Sequence, residues 1–249
     1  MTKAPVTYPF PSTTAHPSAP SRNPVRIGTT LVLAGVLVEY AVTSLHPAHA
    51  APNDHHAAFA EYAASGAWIP VHLGQFAAGL VIIMGVIALL SGLRETTRSP
   101  LVIQAGKAAA VLTAAVSAVL QAVDGIALKH AVDSLATVPA QLRDAAFHDA
   151  ETIRWVEWSM AAYFRMTLGL TLLIVGVAVL RSHGLPRWTA AFALVAGAAF
   201  IVDGVGVGYS GFTGAGAANL VSWASFVIFA VTTTAAAWLH RPDRARPVA

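Results

Sequence analysis

Four carboxyl residues, Glu39, Asp124, Glu157 and Asp203, interrupt stretches made almost entirely of Ala, Val, Leu, Ile and Gly. Five of the ten histidines fall in one segment, "HPAHAAPNDHHAAFAEYAASGAWIPVHLGQF" at 46–76, beside such a stretch. Carboxylates and imidazoles without thiols suit a hard or borderline divalent ion: Zn, or Mn or Fe in a mixed ligand set. His46, His72 and His130 are the candidate metal ligands, with Asp124 or Glu157 to complete a shell. Without a metal, Asp124, Glu157 and Asp203 are candidate general acids, because burial raises a carboxyl pKa. A third chemistry is a cation or proton site in a transporter. There is no cysteine, so disulfides and thiolate chemistry are excluded. No H-E-x-x-H signature is present. Haem would need an axial His pair such as His72 and His130, but other b-type features are absent.

The elements that must carry these residues follow from composition. The chain is 56% hydrophobic and 11% charged, with mean hydropathy +0.62, whereas a soluble domain has about 25% charged residues. Apolar runs of roughly 20 residues recur, each long enough for a bilayer core of about 30 Å. The fold class is all-α: a polytopic membrane protein with a six-helix bundle and spans near 27–46, 68–92, 105–130, 152–181, 187–209 and 217–240. Residues 1–25, rich in Pro, Ser and Thr, read as a disordered cytoplasmic tail. The bundle occupies 26–241, and 242–249 is a second tail. Pro70 and Pro186 stand near span starts, Gly92 and Gly184 near span ends. The pI near 9.5 reflects Lys and Arg at span ends, and no nucleic-acid partner is expected.

Those basic residues set the orientation. Lys3, Arg22 and Arg26 precede the first span; Arg94, Arg98 and Lys107 lie between the second and third. Arg181 and Arg187 flank the fourth turn, and Arg241, Arg244 and Arg246 end the chain. The connections 47–67 and 210–216 have neither Lys nor Arg. The 131–151 connection and its flanks balance Lys129, Arg143 and Arg154 with four acids. Both termini are therefore expected in the cytoplasm, with the His-rich segment outside a plasma membrane. A signal peptide cleaved after "AHA" at 48–50 is the rival. The first apolar run is longer than the usual 7–15 residues and contains Glu39, which argues against it.

Depth and phase then bring the ionisable groups together. At 1.5 Å per residue, Glu39 lies about 10 Å and Asp124 about 9 Å below the outer ends of their spans. Glu157, Asp203, His72 and Gln75 fall at similar depth, while the inner halves are nearly free of ionisable groups. His72 and Gln75 share a helix face, as do Gln121 and Asp124. Arg154, Glu157, Ala161 and Arg165 form one stripe, and Asn219, Ser222 and Ser225 a milder one. Carboxylates facing lipid are costly, so the expectation is an outward-opening pocket, with at least three of Glu39, His72, Asp124, Glu157 and Asp203 around one cavity. Glu39, Gln75, Gln121 and Arg165 would line it.

Structural alternatives stand beside each reading. Glu157 with Arg154, or Glu39 with Arg165, would serve as ion pairs alone. "PNDHHAAFAEYAAS" is explained by an interfacial helix capped at Asn53 or Asp54. Trp68, Trp155 and Trp158 suit an interfacial aromatic belt. "GVGVGYSG" at 204–211 follows no strand and reads as close helix packing, not a phosphate loop.

The segments "HP" at 46–47, "PND" at 52–54, "EYAASGAW" at 61–68 and "VHLGQF" at 71–76 resemble a pattern in uncharacterised six-span membrane proteins of high-GC actinobacteria. The resemblance covers about 30 residues and, loosely, the span layout. It implies an intact first span and, since the family carries no established activity or catalytic residues, supplies no function. Three classes remain open: a membrane protein, enzyme or not, whose outward-facing pocket binds a cation, with or without chemistry on an amphiphilic substrate; a cation- or proton-coupled transporter; and a non-catalytic structural or partner-binding membrane protein. The bilayer is a partner in each, with a small amphiphilic or cationic ligand left open.

Overall fold

The computed structural model describes residues 23–47, 49–97, 99–212 and 216–239. Most of the expected N-terminal tail, the basic C-terminus, Ala48 of the proposed cleavage site and Arg98 lie outside those residues. The described residues are all-helical, and six helices are long and apolar enough to cross a membrane.

Helices α1 (Asn23–Thr43), α3 (Trp68–Leu93), α4 (Pro100–Ala122), α6 (Arg143–Leu180), α7 (Thr189–Ser210) and α8 (Ala217–Leu239) form the spans. Each packs on the next, and α8 closes the ring against α1. Two hydrogen bonds fasten that closure: Thr234 Oγ1 donates to the Thr29 carbonyl, and Arg26 Nε donates to that of Ala237. The α1–α3 pair meets over small residues. A Cβ on Gly28 would lie 2.3 Å from Leu89 N, and one on Gly85 would lie 2.6 Å from Val32 N. With lipid on one side, such close backbone contact is what dispersion attraction requires. Gly169 and Gly197 repeat the device between α6 and α7.

Two expected boundaries move. The third span does not stop at 130: α4 runs into a π-helical turn, Val123–Leu128, and then α5 (Lys129–Thr137). The fourth begins at Arg143, nine residues before 152. The 131–151 connection is thus largely helix, broken near Pro139, where the missing N–H and fixed φ stop the chain. The 47–67 connection contains α2 (His55–Ala64), capped by Asp54, whose carboxylate accepts the Ala57 N–H at 3.2 Å. This helix does not lie free at an interface. Ala58, Phe59 and Tyr62 are buried against Trp68, Leu128, Val132 and Ala150. A second, larger core gathers apolar side chains from all six spans, among them Val32, Leu90, Ile103, Leu172, Phe200 and Phe229.

Candidate functional site

Ionisable groups collect where α2, the adjoining ends of the spans and the π-turn meet. His72, on the second turn of α3, is 2% exposed. Its Nδ1 lies 2.8 Å from the Trp68 carbonyl one turn earlier, and its Nε2 lies 3.0 Å from Asp124 Oδ2. Asp124 belongs to the π-turn, a ladder that displaces carbonyls from their α-helical partners. Its own carbonyl accepts Trp68 Nε1 at 2.9 Å. One α3 turn thereby grips both backbone and side chain of Asp124. The His46 ring covers this turn, 4.8 Å from the Trp68 ring and 5.2 Å from that of His72. His46 follows α1, outside the spans, and burial pushes its pKa down, favouring neutral imidazole. The Tyr62 ring of α2 lies tilted against Trp68 with centroids 4.1 Å apart, and burial pushes its phenol up to about 12.

On α6, Arg154 and Glu157 are each 3% exposed. Arg154 Nη1 donates to both Glu157 carboxylate oxygens, and Nη2 reaches the Pro52 carbonyl at 3.3 Å. The guanidinium also sits 4.8 Å from the Phe212 ring, 5.4 Å from Tyr62 and 5.9 Å from Trp158. Spacing of three residues on one face produces the ion pair, and the aromatic faces add a cation–π shell. Asp124 and Arg165 are near enough to act on the Glu157 charge.

A separate centre joins α6, α7 and α8. Asp203 Oδ2 accepts Arg165 Nε at 2.8 Å and Asn219 Nδ2 at 3.1 Å, while Arg165 Nη1 donates to the Ala161 carbonyl. This trio forms one wall of a cavity of about 480 Å³, whose other walls include Pro52, Val202, Gly206, Ser210 and Phe212. Val202 is 62% exposed, so the cavity wall continues onto the outer face of the bundle. Within "GVGVGYSG", only part serves packing. A Cβ on Gly204 would meet the Ala162 carbonyl oxygen at 2.8 Å, whereas Gly206 has open space beside it. Gly211 turns the chain at φ 65° and leaves no room for a Cβ, which would sit 2.5 Å from the Trp158 ring.

Among the described residues, Glu39 has no ion-pair partner in either centre, although its charge acts on His72. Its carboxylate accepts Thr43 Oγ1 at 3.4 Å, and Gln75 Nε2 donates to the same hydroxyl. With Gln75 and Gln121 it lines a narrow cavity of about 40 Å³ that also touches Thr113 and Ser117.

The expected common cavity is therefore divided. Asp203 borders the large cavity and Glu39 the narrow one, while His72, Asp124 and Glu157 line neither. The physical reason is pairing: Asp124 meets His72, Glu157 meets Arg154 and Asp203 meets Arg165. Arg165 thus takes Asp203 as its partner, not Glu39. Of the three candidate general acids, Asp203 is the one held at the large cavity, while the Asp124 and Glu157 charges act on each other. The candidate metal ligands do not converge, for His130 is exposed on α5 while His46 and His72 are neighbours. Among the described residues, no group of three His, Asp or Glu side chains is placed to hold a metal ion. The longer third span carries His130 along α5, away from the histidine pair.

Several residues that build this region carry no sequence pattern. Lys129 donates to the last carbonyls of α2, at Tyr62 and Ala63, and pairs with Asp133 at 2.7 Å, a cation at a helix C-terminus. Glu61 accepts the backbone N–H groups of His49 and Ala50, which hold its carboxyl down at about 2. His55 pairs with Glu151 at 2.9 Å. Phe212 has no local signal, yet its ring lies within 6 Å of two guanidinium groups, at 4.8 Å from buried Arg154 and 5.7 Å from half-buried Arg165. Comparison of the chain with protein-family models, with curated proteins and with solved structures finds no match.

Proposed function

We propose that this chain is a plasma-membrane protein, with both termini in the cytoplasm, that binds the dipolar headgroup of an amphiphile in the large outer cavity. The Arg165–Asp203–Asn219 wall carries the reading. A cluster of unpaired carboxylates would favour a bare cation, but here Arg165 and Asp203 sum to no net charge. Such a wall offers a donor for a phosphate or carboxylate and, beside it, an acceptor for an ammonium group. Exposed Val202 gives an acyl chain an apolar route from the outer leaflet. Binding is assigned and no reaction is. A transport reading asks water to pass Thr113 and Thr171, whose hydroxyls bond to each other at 2.9 Å among fully buried apolar residues.

The test is a titration of the full-length protein in maltoside detergent, read by tryptophan fluorescence, since Trp158 packs on Gly211 at the cavity edge. The probes are dihexanoyl phosphatidylcholine, dihexanoyl phosphatidic acid and decyltrimethylammonium. Saturable binding is expected for the zwitterion. A charge-assisted hydrogen bond contributes about 1.5–3 kcal/mol, so Arg165→Gln and Asp203→Asn should each weaken it roughly tenfold or more. Equal partitioning of all three probes, unchanged in both variants, would overturn the proposal.

A further inference from the structure

The His72–Asp124 contact lies outside the large cavity, and its chemistry concerns protons. The Trp68 carbonyl can only accept, so the proton on the His72 ring that faces it must sit on Nδ1. That commitment leaves the Nε2 lone pair 3.0 Å from Asp124 Oδ2. Two lone pairs at that distance repel. The contact is attractive only with a further proton between them, whether written as imidazolium and carboxylate or as imidazole and carboxylic acid. Neither His72 Nε2 nor Asp124 Oδ1 has a well-aligned hydrogen-bond partner, although both atoms are buried. His72 is 2% exposed and the Asp124 side chain 17%, so solvent reaches this proton only from the Asp124 side.

The backbone around the pair is able to respond. Asp124 stands in the single π-helical segment among the described residues, and π-turns interrupt the regular ladder at a cost that functional sites commonly bear. Trp68 Nε1 and the Asp124 carbonyl tie this turn to α3, so any movement of Asp124 is felt by α3. The charged and titratable groups facing the pair come from each neighbouring element. They are Glu39 on α1, His46 in the following connection, Tyr62 on α2, and Arg154 and Glu157 on α6.

We propose that His72 and Asp124 together form a proton-binding site holding one exchangeable proton across the α3–π-turn interface. When the proton leaves, the Nε2 and Oδ2 lone pairs face one another and the contact opens. When it returns, the two elements close. No redox partner or leaving group is involved; the proton exchanges with solvent from the Asp124 side. The site is independent of the amphiphile reading, since neither residue lines that cavity.

A proton count on the full-length protein in lipid nanodiscs tests it. Wild type, His72→Gln, Asp124→Asn and the double variant are titrated with a pH indicator. A shared proton predicts that each single variant displaces the midpoint of the group that remains, imidazole in Asp124→Asn or carboxyl in His72→Gln, and that the double variant loses both steps. Independent groups would instead leave the remaining group's midpoint where it stands in the wild type, overturning the proposal. Should the variants fold poorly, the wild type alone decides. Protein labelled with ¹⁵N in histidine and ¹³C in aspartate should show one histidine Nε2 signal and one carboxyl signal moving with a common midpoint. That histidine should retain its Nδ1 proton throughout. The absence of any such matched pair overturns the proposal.

Discussion

Gly125 is pressed so closely on His72 that a Cβ at position 125 would lie 2.4 Å from the His72 Cβ and 2.9 Å from its Cγ. No side chain larger than hydrogen fits there. The contact brings the π-turn against α3, and Asp124 meets the imidazole because its neighbour has no side chain.

Gly125→Ala is therefore expected to destabilise the protein by about 1–3 kcal/mol, the usual cost of overpacking. It should also separate His72 from Asp124. Gly206 in α7 is the control: nothing lies within 4 Å of its added Cβ, and alanine in a helix gains about 0.5–1 kcal/mol over glycine. Thermal midpoints in one detergent check both signs. A Gly125→Ala protein as stable as the wild type would show that the close approach is not a constraint.

The Glu61 carboxyl is held at about 2, below its ordinary 4.5, mainly by the N–H groups of His49 and Ala50. A folded value below the unfolded one means that the stabilisation is complete above about pH 4.5 and is lost as pH falls towards 2. The segment fastened is the one that lays α2 over Trp68. Tryptophan emission and proteolysis of the 47–67 connection should thus loosen over that acid window in the wild type. Glu61→Gln should be looser already at neutral pH and change little over the same window. Parallel curves for the two proteins would refute the assignment.

Much of this architecture is legible in the sequence, and the rest is not for identifiable reasons. Span number follows from apolar length, and Arg154–Glu157 from spacing on one helix. The cross-helix partners are different. Asp203 is equally deep whether it meets Arg165 or stands alone, and only the packing of α6 on α7 selects Arg165. A matched depth fixes one coordinate of a side chain and leaves its rotation about the bundle open, which is how five residues at one level came to be divided among separate centres. The π-turn is invisible for another reason: "QAVDGIALKH" has helical periodicity whether or not one extra residue is accommodated.

The proposed topology has a direct check, helped by the absence of native cysteine. Ala58 is fully buried and would report nothing, whereas Ala60 on α2 and Glu95 between α3 and α4 are exposed. A single cysteine at position 60 should be labelled by an impermeant thiol reagent in intact cells, and one at position 95 only after lysis. The reverse pattern would place the α2 face in the cytoplasm and move the large cavity to the inner leaflet.

Arg154 and Glu157 supply the last expectation. Both are 3% exposed, and Glu157 has no cation as close as Arg154. Removing one partner of a buried pair leaves the other charge uncompensated, at a cost of about 3–5 kcal/mol, whereas replacing both with apolar side chains of similar volume is often neutral. Arg154→Met alone should therefore destabilise the bundle strongly, and Arg154→Met with Glu157→Met should restore most of the loss. Arg154 also holds the Pro52 carbonyl and the Phe212 ring, so a residue of the effect should survive in the double variant as a looser cavity rim. Thermal midpoints report the first effect, and the phosphatidylcholine titration reports the second. If the double variant is no more stable than Arg154→Met, the guanidinium acts through its aromatic and backbone contacts and the ion pair contributes little.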